Sequence, residues 1–220
     1  MSVAEGALGG SAEEVGRQPV TRRGVRTRQA LVDAARVVFE RDGYLNARLT
    51  DITVEAKCST GTLYTYFSGK EEIFAAVMEA AKNEMLHPGT PHVSEDEEPA
   101  VIIEASNRAY LESYRRNAKL MELMEQVANI DPAFRELRLA RGRTFVERNA
   151  KGIEELQRRG LADPELDAMA TSRALSGMIS RMAFHAFVLG DGEDFDELVY
   201  TATRVWCNAL RIDHHLTRPS

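Results

Sequence analysis

The run Ser59 to Lys70 reads Ser-Thr-Gly-Thr-Leu-Tyr-Thr-Tyr-Phe-Ser-Gly-Lys, and it constrains this chain more than any other stretch. Ser59 is suited to cap a short helix opening at Thr60, and Gly61 keeps a side chain off its first turn. Leu63 and Phe67 stand four apart and face a core together. Thr60, Thr62, Thr65 and Tyr66 are then left pointing outward. Short hydroxyl side chains let a helix lie close to a groove floor, where they bond base edges or phosphates. So short a helix is unstable alone and has to lean on neighbours. It reads as a recognition helix; the plainer alternative is a capped helix within an all-helical core.

The preceding residues favour the first reading. Leu31, Ala34, Ala35, Val38 and Phe39 form the apolar stripe of one amphipathic helix. Asp42-Gly43 ends it, with Gly43 suited to a left-handed position. A second short helix from about Leu49 to Ala56 turns Ile52 and Ala56 inward, and Lys57-Cys58 makes the turn into Ser59. Three helices with a tight turn between the last two is the arrangement of a helix-turn-helix.

Ala-Ala-Arg-Val-Val-Phe-Glu-Arg-Asp-Gly-Tyr, then Asp51-Ile52, then Thr-Gly-Thr-Leu-Tyr-Thr-Tyr-Phe-Ser-Gly-Lys-Glu-Glu-Ile-Phe resembles the DNA-binding domain of the TetR family of bacterial transcriptional regulators. The resemblance covers roughly Arg28 to Met85. Two positions depart from the pattern: Lys57 replaces a turn glycine, and Arg48 replaces the small hydroxyl residue that commonly opens the second helix. The resemblance implies DNA contacts from Thr50, Ser59, Thr60, Thr62, Thr65, Tyr66 and Lys70, while Arg48, outside the pattern, is expected to add a phosphate or base contact through its own charge. Tyr66 and Lys70 would contact the backbone, and the threonines would read bases. It also implies a homodimer on a palindromic operator, released by a small molecule, with repression the usual mode.

Composition is compatible with that role once charge segregation is considered. The net charge is −6 over 220 residues, which does not by itself suggest a nucleic-acid binder. Arg17, Arg22, Arg23, Arg26 and Arg28, however, form a basic run adjoining the motif, while Glu95 to Glu98 is wholly acidic. A positive field at the motif suits phosphate contact or an arm in the minor groove, although a merely solvated tail has the same composition. No apolar run approaches membrane-spanning length, and the start lacks the order of a signal peptide. Cys58 and Cys207 are remote from one another and read as reduced thiols in cytoplasm. The expected organisation is a disordered tail at 1–20, a three-helix helix-turn-helix domain at 21–69, a helical effector-binding and dimerisation domain at 70–212, and a flexible tail at 213–220.

Beyond the motif the pattern stays helical, making the expected fold class all-α. Glu71 and Glu72 favour the start of a fourth helix, with Ile73, Phe74, Val77, Met78, Ala81 and Met85 inward. His87 to Pro99 is a proline-bearing connection. Further helices are expected at about 99–115, 118–129, 132–159, 164–189 and 194–212, with Asp131-Pro132 and Asp163-Pro164 as start signals and Gly160 and Gly190 as stops. The last two are too apolar for one face each: Met178 to Leu189, then Leu198, Val199, Ala202, Val205, Trp206, Ala209 and Leu210. Pairing them with their copies gives a two-fold four-helix interface.

Catalytic and metal readings find little support. Glu84-x-x-His87 is a single copy of a motif that di-iron sites use twice, His185 reads as a packed histidine, and His214-His215 lies in the tail. There is no phosphate-cradling glycine loop after a strand and no nucleophile elbow. No enzyme, cofactor or metal is expected. For the effector, Met121, Met124, Phe134, Phe145, Met178 and Met182 are apolar candidates, suggesting an apolar or acyl-like molecule. The alternative function is a helical dimeric ligand-binding or adaptor protein with a vestigial DNA-binding motif, which would have no need of the outward set on 60–70.

Overall fold

The computed structural model describes residues 21–87 and 97–219. The expectations for the tail at 1–20, including Arg17, and for the connection at 88–96, including Glu95, lie outside them. Every regular element among the described residues is a helix, and they group into two compact units: residues up to Asp42 with Asn46–Val77, and Gly43–Leu45 with the chain from Met78 onward. No helix among the described residues is long and apolar enough to cross a membrane.

In the first unit, α1 (Arg22–Asn46) carries the expected stripe, with Leu31, Ala35, Val38 and Phe39 excluded from solvent. Gly43, at φ 77°, ψ 163°, interrupts its helical path, a conformation a side chain would resist. Inside this core the Phe39 and Phe74 rings meet edge to face at 5.0 Å. The next helix, α2 (Leu49–Glu55), buries Ile52, while Ala56 is its half-buried C-cap. Arg48 occupies the N-cap with extended backbone and makes no side-chain capping bond. Lys57 holds the turn at φ 51°, a left-handed conformation that costs a non-glycine residue about 1–2 kcal/mol.

α3 (Thr60–Tyr66) is capped by Ser59, whose hydroxyl accepts from the Thr62 amide at 3.1 Å. Leu63 and Phe67 are both buried, Phe67 as the extended residue that ends the helix. α4 (Lys70–Leu86) buries every inward residue expected of it, from Ile73 to Met85.

The second unit contains the rest of α4, then α5 (Pro99–Arg116), α6 (Ala118–Ala128), α7 (Pro132–Arg158), α8 (Ala168–Phe184) and α9 (Phe195–Leu210). α7 packs along α8, α5 along α9, and α6 on α7. Asp131 caps α7 as expected, accepting from the Ala133 amide, and Gly160 and Gly190 take left-handed conformations after α7 and α8.

The start expected at Asp163-Pro164 is corrected. α8 opens at Ala168, capped by Asp167, which accepts from the Ala170 amide at 2.7 Å. Asp163 is committed elsewhere. Its carboxylate accepts from the Glu165 amide and meets Arg211 at 3.2 Å, while its own amide donates to the Leu210 carbonyl. These bonds make 163–167 a turn fastened to the end of α9. A second difference follows α8: His185–Leu189 is wound as a π-helical turn, with the Gly190 amide donating to the His185 carbonyl.

The apolar surplus of α9 is partly absorbed by its own chain. Leu198, Val199, Ala202, Trp206 and Leu210 are buried, Trp206 in a cluster with Ile153, Leu175 and Cys207. Burial pushes the Cys207 thiol up to about 11, leaving it an inert packing group. Val205 at 39% and Leu189 at 58% stay exposed.

Candidate nucleic-acid interface and effector cavity

The outward face of the helix-turn-helix is built on α3. Thr60 and Thr65 are exposed, and Thr62 and Tyr66 are half-buried. Tyr64, exposed to 56%, joins this surface; reading the sequence alone overlooked it, although it follows Thr60 by four residues and so shares its face. Two hydroxyls are engaged locally. Those of Ser59 and Thr62 lie 2.9 Å apart, and that of Thr65 donates back to the Gly61 carbonyl at 3.0 Å. Bonded this way, Thr65 has spent its proton on the helix, and its acceptor lone pairs and methyl remain for a partner.

Two neighbouring elements flank this surface. Arg48 and Thr50, at the start of α2, are exposed. Glu72 reaches back to the Ser68 amide at 2.6 Å, fixing the entry to α4. Lys70 then extends its ammonium to the Ala47 carbonyl at 3.3 Å, which sets its charge beside the chain entering Arg48. The described part of the arginine run divides by role. Arg22, Arg23 and Arg26 are exposed, whereas Arg28 is half-buried with its guanidinium over the Phe67 ring at 5.0 Å. Stacking of that kind makes Arg28 a packing residue as much as a charge.

A cavity of about 500 Å³ lies within the second unit, walled by α5 and α7 with contributions from α8 and α9. That volume falls in the usual range for small-molecule sites. Phe145 stands on its wall, together with Tyr110, Arg148, Asn149, Ser176 and Trp206. The other apolar candidates lie off it. Met121 and Met124 are buried on α6, Met178 packs against the Trp206 cluster, Met182 is half-buried, and Phe134 sits edge-on to Tyr44 at 5.6 Å. Burial pushes the Tyr110 hydroxyl above its ordinary value, and that of Tyr114 likewise, so both are neutral donors at physiological pH.

Residues 31–77 match the model for bacterial regulatory proteins of the tetR family. Over 57 residues the chain is 42% identical to the A-factor receptor protein of Streptomyces griseus, a match covering 26% of this chain and 21% of that receptor. A longer match, 24% identical over 149 residues, covers 68% of this chain and 76% of the HTH-type transcriptional regulator UidR of Escherichia coli. Among solved structures, one from Mesorhizobium loti described as a TetR-family transcriptional regulator superposes with a TM-score of 0.73 at 21% identity, covering 86% of this chain and 98% of that one. At that identity the likeness speaks to the fold alone.

Proposed function

Because the chain belongs to the tetR family of bacterial regulatory proteins, DNA-binding transcriptional regulators and not enzymes, we propose that it is a cytoplasmic repressor. It binds a palindromic operator as a homodimer and leaves it when a small molecule fills the cavity of the second unit. The observation that carries this reading is the exposed polar face of α3, held by a capped and fully cored helix-turn-helix. An adaptor with a vestigial motif would have no use for Thr60, Tyr64 and Thr65 in solvent. The ligand acts by binding the DNA-incompetent arrangement more tightly than the competent one. The last two helices, with Val205 exposed on α9 and Leu189 exposed on the π-helical turn that extends α8, form the dimer contact. Deleting the gene and measuring transcripts from promoters that the purified protein occupies tests repression directly. Their rise supports it, and their fall would make the protein an activator.

Two substitutions test the assigned DNA contacts. Lys70→Ala should weaken binding to all sequences and reduce the salt slope by about one, as expected for one lost phosphate contact. An unchanged slope in titrations at several salt concentrations removes Lys70 from the interface. By contrast, Thr62→Ala and Tyr64→Ala should alter the preferred bases at particular positions, costing about 1–3 kcal/mol of discrimination where a direct contact is lost. Both should fold normally. Selected-site profiles identical to the unmodified protein's would remove base reading from α3.

A further inference from the structure

The cavity wall is chemically lopsided. Ile153, Trp206 and Leu210 belong to the buried core cluster, and Ile103 and Leu156 pack against it, so the inner wall here is apolar. The charged Glu155 and Arg159 beside Leu156 are exposed to solvent. Toward the start of α7 the wall turns polar. Asn149 donates to the Ser176 hydroxyl at 3.0 Å, and its carbonyl oxygen accepts from the Arg148 guanidinium at 3.3–3.4 Å. Three charged residues face the space. Glu155 is held by Arg158 and lies in the field of Arg159. Arg148 meets only neutral groups: Asn149, the Leu86 carbonyl at 3.2 Å and the Phe145 ring at 5.5 Å. A second guanidinium, Arg141, lies over the same ring at 5.4 Å and also has no carboxylate partner among the described residues.

Arg148 is exposed and Arg141 half-buried, so water solvates part of their charge. Two cations gathered on one aromatic ring at an apolar chamber still make a positive field, with no paired carboxylate among the described residues to offset it. A bound anion supplies the missing charge, and a guanidinium recognises a carboxylate with paired hydrogen bonds. Arg148 and Leu156 are eight residues apart on one helix, about 12 Å along its axis.

We propose that the cavity takes an amphiphilic organic carboxylate, its head group received by Arg148 beside Asn149 and Ser176, its apolar body lying along α7 toward Leu156 and Trp206. This rests on reading the cavity as the effector site and names the chemical class of its occupant. The charge on Arg148 separates this ligand from a neutral apolar one of equal length.

The test uses the full chain without DNA, titrated calorimetrically with decanoate and with 1-decanol. Arg148→Met should weaken decanoate by at least about tenfold and leave decanol within about threefold. Gly152, on the cavity wall, has open space where its Cβ would be, so Gly152→Leu should fill the chamber and abolish binding of both. If Arg148→Met changes both ligands equally, or neither, the carboxylate seat is overturned, while the cavity stands provided Gly152→Leu still blocks. If the unmodified protein binds neither probe, or Gly152→Leu leaves binding intact, the cavity reading fails and the proposal with it.

Discussion

Val205→Glu is expected to give a helical monomer whose affinity for a full operator falls by about a hundredfold or more. Trp206, Leu198 and Val199 on α9 are buried in their own chain, whereas Val205 is 39% exposed and Ala209, four residues on, is exposed as well. A carboxylate here disturbs little within the subunit but would lie unpaired between two copies, at a cost of several kcal/mol. Once the subunits part, each half-site is held by one reading head and the gain from linked binding is lost, typically a factor of 10²–10⁴. Phe187→Glu is a poorer probe, because Phe187 stacks within its own chain against Tyr114 and Phe195, each at 6.4 Å. Trp206→Glu would break the core instead. Sedimentation and operator titration on one sample decide it; a folded monomer with unchanged operator affinity contradicts the assigned interface.

Phe39→Ala is expected to destabilise the helix-turn-helix unit by about 3–5 kcal/mol, the usual range for emptying a buried aromatic site. Phe39 has no solvent exposure and packs edge to face on Phe74. A loss of that size is a large share of a typical domain's stability. Thermal unfolding should therefore start at lower temperature, and operator binding should decline with it. Thr65→Ala on the outer face of α3 should shift the midpoint little. Similar midpoints for the two variants would show that α1 and α4 are not held together as the structure has them.

The helix-turn-helix was legible because its determinants are local. Ser59 caps α3, Gly43 breaks α1, and the stripe from Leu31 to Phe39 needs only its own period to be recognised. Asp163-Pro164 misled for the complementary reason. An Asp-Pro pair serves a turn as well as a helix start, and the choice was made by Arg211 and the Leu210 carbonyl, almost fifty residues away. Nor does apolar periodicity announce the π-helical turn at His185–Leu189, since it fixes a face and not a hydrogen-bond spacing. The cavity is the least local feature. Its wall is assembled from α5, α7, α8 and α9, and its polar groups, Arg148, Asn149 and Ser176, are unremarkable in sequence. The methionines chosen for their adaptability stand off that wall, where flexible side chains fill irregular gaps in a core. Tyr64 was legible too, since with Leu63 inward it falls on the face of Thr60, but the family resemblance points to Tyr66 and not to it.

The most direct test of the central claim is to recover duplexes from fragmented genomic DNA with the purified protein and to repeat the recovery with Tyr64→Ala. The account predicts a two-fold symmetric sequence, its half-sites separated by whole or near-whole turns of the duplex, enriched well above bulk DNA. The substitution should change the preferred bases at symmetric positions in both halves. Recovery of no sequence above bulk, or of one without two-fold symmetry that Tyr64→Ala leaves untouched, would contradict a dimer reading DNA through α3.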